Sequence, residues 1–179
     1  MYCRKSMNKD LARELLERMK ADQEMRFKMT IDQRVDLRNC AWMKKIVQKY
    51  GWPDSRMFGK RAAVAAWILA QHADHDPAFQ AECLKLLTVS YKNGHIVPEY
   101  FALLTDRVRM NQGKPQVYGT QFHRRKNGKL GPWPIRDKKG LAARRITMGL
   151  GTFESYQASM LAVNEKIARR LHKKQLSSA

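Results

Sequence analysis

Leu11, Leu15 and Met19 recur at four-residue spacing among Glu, Lys and Arg. That period predicts an amphipathic helix over residues 9–27. A second helix is expected from Thr30, where Thr30-Ile31-Asp32-Gln33 has the form of a capping box. Val35, Met43, Ile46, Val47 and Tyr50 share its apolar stripe, and Gly51 followed by Trp52-Pro53 ends it. Residues 54–60 read as a loop. Ala62 to Ala70 is then apolar on every side and rich in alanine, the pattern of a central helix packed closely all round. Asp76-Pro77 is a helix start, with Asp as cap and Pro at the first helical position. The helix so opened runs over about 77–92, with Phe79, Cys83, Leu84 and Leu87 inward, and stops at Asn93-Gly94. Another begins near Pro98 and carries Phe101, Leu104 and Val108 to about Met110.

The pattern changes after residue 110. Asn127-Gly128 is a strong hairpin-turn dipeptide between Gln121–Lys126 and Lys129–Ile135. Helical spacing returns over 138–148. Thr152 then caps a last helix whose stripe is Tyr156, Met160, Val163, Ile167 and Leu171. The expected fold is mainly α: a single helical domain of about six or seven helices, with a small β-hairpin near 121–135. Residues 1–158 form the domain with its hairpin, and residues 159–179 a basic helical extension of it. No repeat or linker argues for a second domain.

Charge adds a second layer. The chain of 179 residues has 35 Lys and Arg against 16 Asp and Glu, a net of +19. The excess is uneven: +7 over residues 1–60, +1 over 61–122 and +11 over 123–179. A field of this sign attracts polyanions. Nucleic acid is the favoured partner and an acidic protein or a membrane surface the alternative. The nucleic-acid contacts expected are Arg124, Arg125, Lys126 and Lys129 on the hairpin, Lys138 and Lys139 after it, and Arg169 and Arg170 on the tail.

Other classes fall away. Cys3, Cys40 and Cys83 are far apart, with no paired Cys or Cys/His spacing for a structural zinc. Free thiols suit a reducing, cytoplasmic setting. The start, Met-Tyr-Cys-Arg-Lys, leads into no apolar segment of a secretory signal. The run from Ala62 to Ala70 falls well short of the about 20 residues that cross a bilayer.

Candidate chemistry lies in the neutral middle. Gln71-His72-Ala73-Asp74-His75-Asp76 follows the most apolar helix and holds two His and two Asp. Helical geometry puts His72 on the face of Ile68, and Gln71 below Trp67. A histidine where a helix leaves the core suits general acid–base work, with Asp74 or Asp106 to orient it. The plain alternative is that these side chains cap helix ends. His75 reads as solvent-exposed. The His75-Asp76 doublet with a later Asp106 is like the metal set of all-helical phosphohydrolases, but no histidine precedes His72, so the upstream ligand is missing; His72 with Asp76 or His75 could still share a metal, though no metal or other cofactor is expected. In Thr105-Asp106-Arg107 the adjacent charges point in different directions and serve different partners; Arg107 suits a bidentate clamp on an anion, and an interhelical ion pair is the favoured plain reading. Gln116, Tyr118, Thr120 and Gln121 flank Gly119, which lets backbone approach a ligand closely. With Gln71 and Arg107 they form the expected substrate contacts.

These stretches carry a resemblance. Ala21-Asp22-Gln23, Gly51-Trp52-Pro53, Ala66-Trp67-Ile68-Leu69-Ala70-Gln71-His72-Ala73-Asp74, Asp76-Pro77-Ala78-Phe79-Gln80, Leu104-Thr105-Asp106-Arg107 and Gly113–Phe122 resemble an uncharacterised, mostly bacterial family filed as domain of unknown function 6624. Pro134-Ile135-Arg136-Asp137, Arg144-Arg145 and Gly149-Leu150 complete the set. The similarity spans about residues 10–158. It implies one domain and supplies no reaction. The basic hairpin and tail depart from the family pattern, which suggests a polyanionic partner particular to this chain.

Two functions remain open on the sequence. One is a pocket domain acting on a nucleotide or nucleic acid, with His72 as acid/base. The other is a non-catalytic basic protein binding RNA, DNA or a ribonucleoprotein. The oligomeric state has no sequence signature.

Overall fold

The computed structural model describes residues 2–30 and 32–176. Among these are eight helices: α1 (Tyr2–Phe27), α2 (Gln33–Tyr50), α3 (Ser55–Phe58), α4 (Lys60–Gln71), α5 (Pro77–Lys92), α6 (Pro98–Asn111), α7 (Leu141–Thr147) and α8 (Phe153–Leu176). A two-stranded antiparallel sheet, β1 (Phe122–Arg124) and β2 (Leu130–Pro132), lies between α6 and α7. The mainly helical fold with its hairpin agrees with the sequence reading. The extra helix is α3, a single turn capped by Asp54, whose carboxylate accepts from the Arg56 and Met57 amides.

The alanine-rich α4 is the centre, touching α1, α2, α3, α5 and α6. Ala62, Ala65, Ala66 and Ala70 are buried, and their small side chains let neighbouring helices come close. Leu15 of α1, Met43 and Val47 of α2, Phe79, Cys83 and Leu87 of α5, and Leu104 and Val108 of α6 close the core around it. Burial pushes the Cys83 thiol far up, so it behaves as a small apolar group. Trp67 of α4 donates to the Tyr100 carbonyl at 2.9 Å and stacks on the Tyr100 ring.

Element ends follow local chemistry. Asp76 caps α5 by accepting from the Phe79 amide at 3.0 Å, with Pro77 in the first turn. The cap of α2 is Asp32 rather than Thr30, because Met29 turns the chain with φ +55 and α2 begins only at Gln33. Ile31 of the expected capping box, and residues 177–179 of the expected extension, lie outside the described residues. The hairpin register pairs Phe122 with Pro132, His123 with Gly131 and Arg124 with Leu130, and turns at Gly128 with φ +76.

The stripe of the last helix is covered only at its start: Tyr156 and Met160 are half-buried, whereas Val163, Ile167 and Leu171 are 50%, 38% and 44% exposed. Helical period fixes which residues share a face, not whether that face is covered.

Candidate functional site: a buried aspartate–histidine pair

His72 is the C-cap of α4 and its side chain is 20% exposed. Its Nδ1 lies 3.0 and 2.9 Å from the two carboxylate oxygens of Asp22, which α1 holds fully buried. A ring nitrogen that faces a carboxylate carries the proton, since two lone pairs would repel. Nδ1 therefore donates to Asp22, and Nε2 is left as the basic atom. Arg26, one turn along α1, is 3.2 Å from Asp22 Oδ1 and 3.0 Å from the same Nδ1. With Nδ1 protonated, its Nε–H goes to the carboxylate. Its Nη2 reaches Asp36 of α2 at 2.7 Å. Burial alone would raise the Asp22 carboxyl. The His72 hydrogen bond and the Arg26 charge outweigh it and hold the group below the ordinary carboxylate range. Among the described residues nothing bonds to His72 Nε2.

Next to this pair, Gln71 is buried with its Oε1 unpartnered. A groove of about 290 Å³ lies between α1 and α2, lined by Arg18, Ala21, Val35, Arg38 and Asn39 among others.

Asp74, two residues beyond His72, belongs to a different cluster. Arg107 clamps it through Nε and Nη2 at 2.9 and 2.7 Å, and Arg107 Nη1 donates to Gln121 Oε1 at 3.0 Å. Asn111 bonds both Asp74 and Gln80 at 2.8 and 2.9 Å. The Gln80 amide donates to the Ala70 and Gln71 carbonyls, both at 3.2 Å, and so caps the end of α4. Burial raises the Asp74 carboxyl, and Arg107, Asn111 and Gln80 together bring it below its usual value.

The third cluster is a cradle for the loop 116–121. Asp106, fully buried on α6, accepts from the Val117 amide at 2.6 Å, the Tyr118 amide at 3.1 Å and the Thr120 amide and hydroxyl, each at 3.0 Å. Burial pushes this carboxyl above its usual range against the pull of those donors. Every partner donates, so the ionised form is the one the cradle fits. Gln116 spans the loop, accepting from the Gln121 amide and donating to the Gln121 and Trp133 carbonyls. Gly119 has φ +71, and an added Cβ would meet the Phe153 ring at 2.9 Å. Arg145 of α7 is buried without a carboxylate partner among the described residues. It donates to the Tyr118 and Gly151 carbonyls, each at 2.7 Å, and lies beside the Phe153 and Tyr156 rings.

A model of a family described as Family of unknown function (DUF6624) matches residues 9–165. The chain belongs to that family. No curated protein and no solved structure matches it.

The residues expected to form the DUF6624 site are thus divided among adjoining clusters. His72 is not oriented by Asp74 or Asp106: Arg107 draws Asp74 away, and Asp106 is turned to the loop amides. Asp22 holds that place. Gln116, Thr120 and Gln121 spend their side-chain polar groups inside the protein, the Tyr118 amide and carbonyl are used as well, and Tyr118 is buried. His75 is exposed, as read. Among the described residues no three His, Cys, Asp or Glu side chains are grouped to hold a metal. None of the helices described is long and apolar enough to cross a membrane.

The basic set lies outside. Lys126, Lys129, Lys138, Lys139, Arg169 and Arg170 are exposed. Arg124 donates to Asn164 of α8 at 3.1 Å, and the Arg125 guanidinium lies against Gly131.

Asp22, Arg26, Asp36, Gln80 and Asn111 were not singled out from the sequence. The signal for Asp22 was there: it stands seven residues after Leu15, on the apolar face of α1, where a carboxylate needs a partner.

Proposed function

We propose that this domain is an enzyme of proton-transfer chemistry acting on a nucleotide or nucleic acid. His72 Nε2 is its general base or acid, and Asp22 is the positioning residue. The carrying observation is that the buried Asp22 carboxylate faces His72 Nδ1 while, among the described residues, nothing bonds to Nε2. Such an arrangement sets a ring nitrogen for proton transfer. Arg26 and Asp36 brace the carboxylate from the next turn and the next helix. The net charge of +19 supports a polyanionic substrate, drawn to the hairpin and to Lys138 and Lys139.

A second reading has its own support. The side chains best suited to gripping a substrate, Arg107 and Gln121, are engaged with each other and with Asp74. A non-catalytic protein binding RNA or DNA through its basic face would show that inward satisfaction.

The two separate on one comparison. Nucleotides and short RNA and DNA oligomers are incubated with the wild type, His72→Ala and Asp22→Asn, and products are resolved by chromatography. His72→Ala is expected to lower turnover by about 10²-fold or more while oligomer affinity stays within twofold. Asp22→Asn should weaken turnover and alter its pH profile. Wild-type protein that turns over none of these substrates, and loses oligomer binding in Arg124→Glu/Arg125→Glu/Lys126→Glu, would establish the second reading instead.

A further inference from the structure

The far half of α8 combines two features that nucleic-acid binding does not use together. Val163, Ile167 and Leu171 stand four residues apart and form one apolar stripe, exposed at 50%, 38% and 44%. Lys166 and Arg170, both exposed, border that stripe at about 100° and 60° from Ile167 around the helix. Glu165, the acidic residue of this stretch, falls on the opposite side and is engaged by Arg169 at 3.6 Å. The patch continues beyond the helix: Arg170 lies over the Phe27 ring at 5.4 Å, and Phe27, at the end of α1, is 71% exposed. Three aliphatic side chains and a phenyl ring thus share a surface with two cations. The family match ends at residue 165, so Ile167, Arg170 and Leu171 lie outside the matched span.

We propose that this face of α8, with Phe27, docks on an anionic lipid surface. The choice follows from complementarity. A phosphodiester backbone matches Lys166 and Arg170 but offers no apolar phase for Val163, Ile167 and Leu171. The interface of an acidic bilayer offers both, with acyl chains under the stripe and headgroup charge at its border. Four apolar groups bury little area, so attachment is weak and reversible and leans on the net charge of +19. It is therefore sensitive to salt.

Flotation of the full chain with vesicles tests this. The wild type is expected to float with phosphatidylcholine vesicles containing about one-third phosphatidylglycerol, and not with phosphatidylcholine alone. Val163→Ser/Ile167→Ser/Leu171→Ser, at exposed positions, should partition about tenfold less while keeping its affinity for a single-stranded RNA oligomer. A single Ile167→Trp variant gives a second readout: its added emission should shift to the blue on binding and be quenched by brominated lipid. Equal flotation of the triple variant and the wild type overturns the proposal, as does failure of the wild type to float. Loss of RNA affinity in the triple variant, with flotation unchanged, assigns the face to nucleic acid instead. Wild-type self-association that the triple variant abolishes, with no lipid effect, gives it to a second copy of the chain.

Discussion

Asp106→Asn isolates the loop cradle. The carboxylate accepts three amides and one hydroxyl at 2.6–3.1 Å with no exposure to solvent. In the variant the remaining oxygen serves the Val117 and Tyr118 amides, now as a neutral acceptor of about half the strength, a loss of about 1 kcal/mol for each. The new –NH₂ faces Thr120. Its hydroxyl can turn and accept, but its amide N–H is left buried without a partner, which costs about 1–3 kcal/mol. The total is about 3–5 kcal/mol, a large part of the about 5–15 kcal/mol expected for a domain.

Urea unfolding followed by circular dichroism measures it. With a slope of about 2 kcal/mol/M, the midpoint should fall by about 1.5–2.5 M. The slope itself should not change, since the same surface is exposed on unfolding. A midpoint shift equivalent to less than about 1 kcal/mol, at unchanged slope, would refute the account of residues 116–121 as a loop hung from one carboxylate. The variant also bears on chemistry. If Asp106 is only an anchor, any turnover by the folded fraction of Asp106→Asn should match the wild type.

Three further expectations follow from the clusters. Gly119→Ala combines a left-handed backbone at φ +71 with a Cβ 2.9 Å from Phe153, and should lower stability by about 2–4 kcal/mol. Gly113→Ala, at φ +70 with open space around it, should lose only about 1 kcal/mol, and the two melting temperatures measure the difference. Arg145→Met leaves the Tyr118 and Gly151 carbonyls without their guanidinium donor and should cost about 2–4 kcal/mol in the same unfolding assay. Asp22 and Asp74 are both held below the ordinary carboxylate value of 3.8. Their contribution to stability is thus complete above that value and lost as pH falls through the lower, folded-state values. Asp106, held above 3.8, acts with the opposite sign as pH rises. Midpoints between about pH 2.5 and 6 should therefore show a shallower acid limb in Asp74→Asn than in the wild type.

What could be read from the sequence divides by range. Local signals succeeded: Asp76-Pro77 opens α5, Asn127-Gly128 turns the hairpin and Thr152 precedes α8, its hydroxyl accepting from the Ser155 amide at 3.2 Å. The stretch containing α3 is too short to show a period. Asp32 rather than Thr30 is the cap because the chain turns at Met29 before α2 and the Asp32 carboxylate then accepts from the Arg34 amide at 2.9 Å. Partnerships across the fold were the hard part. Asp74 stands two residues from His72 and looked like its partner. The one that reaches the ring stands fifty residues away on α1, because α1 crosses α4 there. By contrast, that the adjacent Asp106 and Arg107 leave α6 in different directions and serve different partners was legible from helix geometry alone. For α8, period alone located the stripe but left its burial undetermined.

The division into clusters bears on whether His72 is merely a helix cap. A helix end in a core needs donors for its last carbonyls. Here Gln80 supplies them, bonding to both the Ala70 and Gln71 carbonyls while Asp74 and Asn111 hold Gln80 in turn. The end of α4 is thus satisfied by the side chain of another helix. His72 contributes its backbone N–H, which bonds to the Ile68 carbonyl at 3.1 Å as any residue there would. The imidazole adds nothing to that cap. It is tied instead to a carboxylate taken fully out of water, which is an expensive way to hold a side chain that packing alone would place. Replacing both Asp22 and His72 by apolar residues of similar volume should therefore leave the fold as stable as before or more so, whereas removing His72 alone should strand a buried charge beside Arg26. A double variant that unfolds as readily as His72→Ala would mean that the pair holds α1 to α4, and the case for His72 as a base would lose its main support.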